Sequence, residues 1–89
     1  MRYWYPGAGF LVLLLGGAVW AQTATAAQAD ALAQQGRLEE SAQAWEAVIA
    51  AHPRDAAALA SLGLVRSREG QYAEAAEAYR KALALKPRF

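Results

Sequence analysis

The feature that most constrains the fold of this chain is a self-similarity at a spacing of 34 residues. Shifting the sequence by that amount superimposes glycines, large apolar residues and prolines. The matching pairs are Gly36 with Gly70, Leu38 with Tyr72, Trp45 with Tyr79, and Pro53 with Pro87. Units of this size stack on one another, because one unit cannot bury its apolar face alone. We therefore divide the chain into residues 1–21, a first unit at 22–55 and a second unit at 56–89.

Each unit is predicted to contain two antiparallel helices. In the second unit, Asp55 can cap a helix that covers 56–68, because its side-chain oxygen can accept from a free backbone N–H. Gly70 stands where the chain needs a left-handed residue to leave that helix. A second helix is expected at about 72–85, ended by Pro87. Alanine, which makes up 24 of the 89 residues, favours this all-α class.

Small residues predict close contact between the two helices of the second unit. Gly63 has no side chain, so the second helix can approach the first at this point. We expect Tyr72 and Tyr79 to pack beside Gly63, Leu62 and Leu59. The alanines that would admit neighbouring helices are Ala75, Ala76 and Ala82.

The second unit resembles the tetratricopeptide repeat, whose signature has a Trp or Leu, Leu-Gly, Tyr, Ala, Phe or Tyr, Ala and Pro over 34 residues. It departs mainly at Val65, where tyrosine is common. The first unit keeps the signature in its second helix, roughly 38–51. It departs at four other positions, and residues 22–27 could instead be a linker. The matching residues of the second unit are Leu59, Leu62, Gly63, Gly70, Tyr72, Ala75, Tyr79, Ala82 and Pro87; the departing residues of the first are Thr25, Gln28, Ala29 and Ser41.

The resemblance implies a right-handed solenoid in which the first helix of each unit lines a groove for a peptide or protein partner. A lysine and an asparagine that bind the C-terminal carboxylate of a chaperone in some family members are replaced here by Ala60 and Leu64, so that activity is not implied. An ordinary, alanine-rich helix surface is the alternative interpretation. The implied groove residues are Asp30 and Gln34 in the first unit, with Ala57, Ala60, Ser61, Leu64, Ser67 and Arg68 in the second.

The N-terminal segment differs from the rest of the chain. After Arg2 it carries no charge until Asp30, and its apolar centre covers 10–15. Small residues before a possible cut after Ala21 complete the pattern of a secretory signal peptide. An uncleaved membrane anchor is the alternative, since the uncharged stretch 3–21 is about long enough to span a bilayer. Both interpretations place the two units outside the cytoplasm, with periplasmic export expected.

The composition argues against catalysis, metal binding and nucleic-acid binding by this chain. The formal net charge of +1 gives no reason to expect a nucleic-acid partner, and cysteine is absent. His52, the single histidine, stands just before Pro53 at a predicted helix end, and no serine has a histidine in a plausible geometry for nucleophilic catalysis. No metal-ligand cluster is apparent. We therefore expect a non-enzymatic protein without a cofactor.

The charge is unevenly distributed between the units. The first has five acidic and two basic residues, and the second has three acidic and six basic residues. This asymmetry could steer head-to-tail association, although local pairs such as Glu77 with Lys81 are the alternative explanation. Two units offer little core, and the outer face of the last helix, including Leu83 or Leu85, is expected to face water. Three arrangements would cover it: the sequence is the front piece of a longer repeat protein, the chain associates with itself through that face, or it folds on a partner. A membrane-anchored structural subunit of an envelope complex and the N-terminal arm of a longer enzyme or export protein are the alternative functions.

Overall fold

A computed structural model describes residues 24–88, and these form four helices in two antiparallel pairs. Helix α1 is Ala26–Gln34, α2 is Leu38–Ala51, α3 is Ala56–Arg68 and α4 is Tyr72–Leu85. Each helix packs against the next along the chain. The expected all-α class is therefore confirmed for this part of the chain. The predicted signal or anchor at 1–21 lies outside the described residues.

The helix ends follow the local chemistry of the sequence. The Asp55 carboxylate accepts a hydrogen bond from the Ala58 N–H at 3.0 Å, which confirms it as the cap of α3. Gly36 and Gly70 have φ of 78° and 81°, the left-handed geometry that a glycine adopts at lower cost than other residues. Helix α4 ends at Leu85, as expected for a chain approaching Pro87.

Helix α1 begins one turn later than its counterpart in the second unit. Thr25 Oγ1 accepts from the Gln28 N–H at 3.2 Å, and Gln28 Oε1 accepts from the Thr25 N–H at 2.9 Å. This reciprocal pair is a capping box, which satisfies two backbone donors at the helix start. The alternative of a linker extending to residue 27 is wrong for Ala26 and Ala27, which are helical.

The core lies between the units. Trp45 of α2 is 4% exposed and belongs to one apolar cluster with residues of α1 and α3. The buried members of that cluster are Ala29, Ala42, Trp45, Val48, Ala58 and Val65. Val65, a departure from the repeat signature, thus fills a core position.

The contact between α3 and α4 confirms one tyrosine prediction and corrects another. A Cβ added at Gly63 would lie 2.8–2.9 Å from three ring carbons of Tyr79, so the glycine makes room for that ring. Ala75 and Ala82 are buried, as expected. Tyr72, however, is 70% exposed, and the prediction that it packs beside Gly63 is wrong. Its ring lies on the face of α4 that no further described helix covers.

Candidate functional site

The predicted groove residues form one stripe on each first helix. On α3, Ala57, Ala60, Ser61, Leu64 and Ser67 recur at the three- and four-residue spacing of a single helix face, and Arg68 extends it. None of the six is buried, and Leu64 is 49% exposed. The stripe is therefore accessible to a partner.

The corresponding stripe on α1 carries Asp30 and Gln34, both exposed. A shift of 34 places Asp30 at the position of Leu64 and Gln34 at the position of Arg68. The two units thus present different chemistry at equivalent positions: an acid and an amide in the first, an apolar side chain and a cation in the second. A bound segment would meet a polar half and an apolar, basic half.

Catalytic or metal-binding geometry is not found in residues 24–88. No three His, Asp or Glu side chains in that range converge in a way that could hold a metal ion. His52 is exposed at the end of α2. The buried polar side chain, Ser41, uses its hydroxyl to donate to the Ala29 carbonyl at 2.7 Å, so it is occupied structurally.

An ionic cluster centred on Arg66 joins the units, and sequence reasoning did not find it. The guanidinium of Arg66 contacts Glu39 at 3.1 Å and Glu46 at 3.2 Å, both on α2. It also contacts Glu69 at 3.1 Å and the Gln71 amide oxygen at 3.1 Å. The available signal was the seven-residue spacing of Glu39 and Glu46, which puts both carboxylates on one face of α2.

Titration within this cluster is set by burial and by the neighbouring charges. Burial raises the pKa of Glu69, the carboxyl of Glu39 raises it further, and Arg66 opposes both effects. For Arg66, burial would lower the pKa, but hydrogen bonds to Glu69 and Glu46 outweigh it and the pKa is raised. Arg66 therefore stays charged and links α3 to α2.

Two further pairs are more exposed. Lys81 Nζ lies 3.2 Å from a Glu77 carboxylate oxygen, as expected from their spacing. Arg37 Nε donates to Glu40 at 2.8 Å, and this hydrogen bond lowers the pKa of Glu40. Exposed pairs of this kind contribute little to stability.

Comparison with known proteins identifies the repeat. The family model described as tetratricopeptide repeat matches residues 26–88, well over half of the chain. The match covers all four helices. No curated protein matches the chain. Within residues 24–88, no helix is both long and apolar enough to cross a membrane.

Proposed function

Because the chain belongs to the tetratricopeptide repeat family, we propose that it is a non-enzymatic scaffold that binds a peptide or protein partner outside the cytoplasm. Repeats of this family generally mediate protein–protein interaction. The observation that supports this function best is the accessible stripe on α3 and its counterpart on α1. The two units form the beginning of a right-handed solenoid, in which α2 and α4 support these stripes from behind.

The chemistry of the stripes defines the kind of segment that fits. Leu64, flanked by the small residues Ala60 and Ser61, offers an apolar contact, and Arg68 offers a cation one turn further along. A segment with an apolar side chain near an acidic one suits these two positions. At the other end of the groove, on α1, Asp30 would repel a second acidic residue of the bound segment.

Selection from a random-peptide display library on the purified chain tests the groove. We expect selected peptides to share an apolar residue close to an acid. Their binding should be lost in Leu64→Glu and weakened in Arg68→Ala. The matched control is Leu83→Glu, because Leu83 has the same exposure of 49% but lies on α4. Peptides that bind all three variants as well as the natural chain would contradict a binding groove on α3.

The proposal that the chain is exported depends on the charge pattern of the first 21 residues. A short basic end, an apolar run and small residues before a possible cut support a cleaved signal and a periplasmic location. The uncharged stretch 3–21 supports the second candidate, a membrane-anchored structural subunit of an envelope complex, with the repeats outside the cytoplasm. A third possibility, that the chain is the N-terminal arm of a longer enzyme or export protein, is compatible with both a cleaved signal and a membrane anchor.

Intact mass and N-terminal sequencing separate the two candidates. The chain is expressed in a secreting bacterium, and soluble and membrane fractions are kept apart. A soluble species beginning at Gln22, or at Ala27 after a second possible cut that follows Ala24-Thr25-Ala26, would support the free exported scaffold. A full-length species in the membrane would overturn it in favour of the anchored subunit. A full-length species in the soluble cytoplasmic fraction would overturn both.

Self-association through the last helix is a further part of the proposal. Tyr72, Tyr79 and Leu83 lie on one face of α4 at 70%, 37% and 49% exposure. Exposed apolar residues grouped in this way are typical of an interaction surface. This surface is separate from the groove stripe, so the two can act independently.

A further inference from the structure

The exposed face of α4 corresponds, position by position, to a face that α2 uses inside the chain. A shift of 34 relates Leu38, Trp45 and Ile49 of α2 to Tyr72, Tyr79 and Leu83 of α4. Trp45 is 4% exposed, and Leu38 and Ile49 are half-buried against the core that α3 completes. Their counterparts on α4 are open because residues 24–88 include no helix beyond α4 to cover them. The α2–α3 contact is thus a template for what can dock on α4.

The surface that would dock there is present at the opposite end of the same chain. A groove of about 640 Å³ lies between α1 and α2. The equivalent groove between α3 and α4 has about 180 Å³, and Glu46 of the preceding helix α2 lines it. The first unit therefore has an open groove where the second has a helix bordering it. The open groove is lined by Ala24, Gln28, Ala31, Leu32, Gln35, Arg37, Glu40, Gln43, Ala44 and Ala47.

The residue changes between the two ends make the contact more apolar. The Arg66–Glu39 ion pair of the internal interface maps onto Leu32 and Ala73, so an ionic contact becomes an apolar one on both sides at once. Glu46 maps onto Arg80 of α4, and Glu74, which lines the α3–α4 groove, maps onto Glu40. The Arg66–Glu46 pair therefore maps onto Leu32 and Arg80, so the cation that replaces Glu46 has no counterpart of Arg66 beside it. The carboxylate that lines the open groove is Glu40, which also pairs with Arg37.

Charge over the whole units agrees with this pairing. The first unit, which carries the groove, has an excess of three acidic residues, and the second, which carries α4, has an excess of three basic residues. Two first units or two second units would repel each other, whereas a first and a second unit attract. A symmetric contact of α4 with α4 would leave the groove open.

We propose that a second copy of this chain is the occupant: α4 of one copy docks into the α1–α2 groove of the next, in the way that α2 docks on the second unit within one chain. This rests on the proposed self-association and specifies its reciprocal surface. Tyr79 and Leu83 enter the groove beside Ala31 and Leu32, and Arg80 approaches Glu40. The contact joins two different surfaces, so it continues from copy to copy and forms an open-ended chain.

Sedimentation equilibrium over a concentration series tests this, with the purified full chain in the form that the expressing cell delivers. The average mass should rise with concentration beyond that of a dimer. Leu83→Glu blocks the docking helix and Ala31→Glu blocks the groove; both positions are exposed enough to leave folding intact, which circular dichroism checks. Each variant alone should associate about 100-fold more weakly, because a carboxylate buried in an apolar contact without a partner is strongly disfavoured.

Mixing the two variants gives the decisive result. The intact α4 of Ala31→Glu can dock into the intact groove of Leu83→Glu, so an equimolar mixture should form a 1:1 heterodimer that does not grow further. Leu64→Glu, matched to Leu83 in exposure, should associate like the natural chain.

Three results would overturn the proposal. The first is a natural chain that stays monomeric at all concentrations. This result would overturn the proposal both if residues 1–23 fill the groove and if the groove stays empty. Association lost in Leu83→Glu but kept in Ala31→Glu would indicate a symmetric α4 contact. Association that survives in both variants would place the contact elsewhere. All three are measured without a peptide, so they leave the α3 groove to its own test.

Discussion

The Ser41 hydroxyl donates a hydrogen bond to the Ala29 backbone carbonyl at 2.7 Å, and both residues are fully buried. These two positions are the counterparts of Ala75 and Gly63 in the second unit. Two of the four departures from the repeat signature in the first unit therefore meet each other. A hydrogen bond between α1 and α2 thus joins two positions that a glycine and an alanine occupy in the second unit.

Replacing Ser41 by alanine should destabilise the chain by about 1 kcal/mol, the usual net contribution of a neutral hydrogen bond. Urea unfolding followed by circular dichroism measures the change. Ser67→Ala is the control, because it makes the same substitution in a helix at a position that is not buried. Equal effects of the two substitutions would show that the Ser41 hydrogen bond contributes nothing to stability.

Gly63→Ala should destabilise the chain by about 1–3 kcal/mol, since the added methyl group would overlap the Tyr79 ring. The cost depends on that ring. In a Tyr79→Ala background, the same substitution should become neutral or stabilising by about 1 kcal/mol, because alanine is the better helix former. A double-mutant cycle measures this coupling.

Gly70→Ala provides the control for that cycle. Its φ of 81° makes alanine unfavourable there, but nothing lies within 4 Å of an added Cβ. Its cost should therefore be the same with and without the Tyr79 ring. A cost of Gly63→Ala that is also independent of Tyr79 would contradict the predicted overlap.

Arg66→Met should destabilise the chain by about 1–3 kcal/mol, because it leaves the half-buried Glu69 and two carboxylates of α2 without their shared cation. Urea unfolding measures the loss. Arg68→Met removes an exposed cation from the same helix and should change stability by less than about 0.5 kcal/mol. Similar losses in both variants would mean that the cluster does not hold the units together.

The raised pKa of Glu69 predicts a pH dependence with a definite sign. In the folded chain Glu69 keeps its proton at pH values where the unfolded chain has lost it, so its contribution to stability is present at low pH. That contribution falls as pH rises from the ordinary glutamate range through the folded-state pKa. Glu69→Gln lacks this fall, so the stability of the variant relative to the natural chain should increase with pH.

Urea midpoints at a series of pH values from about 4 to 7 check this prediction. Glu77→Gln, at an exposed position, controls for the loss of one negative charge. A stability difference between Glu69→Gln and the natural chain that stays constant or shrinks as pH rises would contradict the raised pKa.

Much of the fold and of the candidate groove could be predicted from local sequence. The ends of α2, α3 and α4, the Asp55 cap and the left-handed Gly70 were all expected, and the structure confirms them. These features depend on backbone chemistry within a few residues, which the sequence displays directly. The Thr25–Gln28 capping box was the local feature that went unrecognised, because both residues stood out as departures from the repeat signature.

Tertiary structure decided what the repeat positions do. Leu38 and Tyr72 are equivalent in sequence, yet Leu38 is half-buried and Tyr72 is 70% exposed, because the helix that covers the first has no counterpart over the second among residues 24–88. The meeting of Arg66 with Glu39 and Glu46 likewise brings together residues of two helices that are 27 and 20 apart in sequence. The sequence by itself determined where α2, α3 and α4 begin and end, since those signals are local. Only the packing of one unit on the next decided which faces are buried, paired or open to a partner.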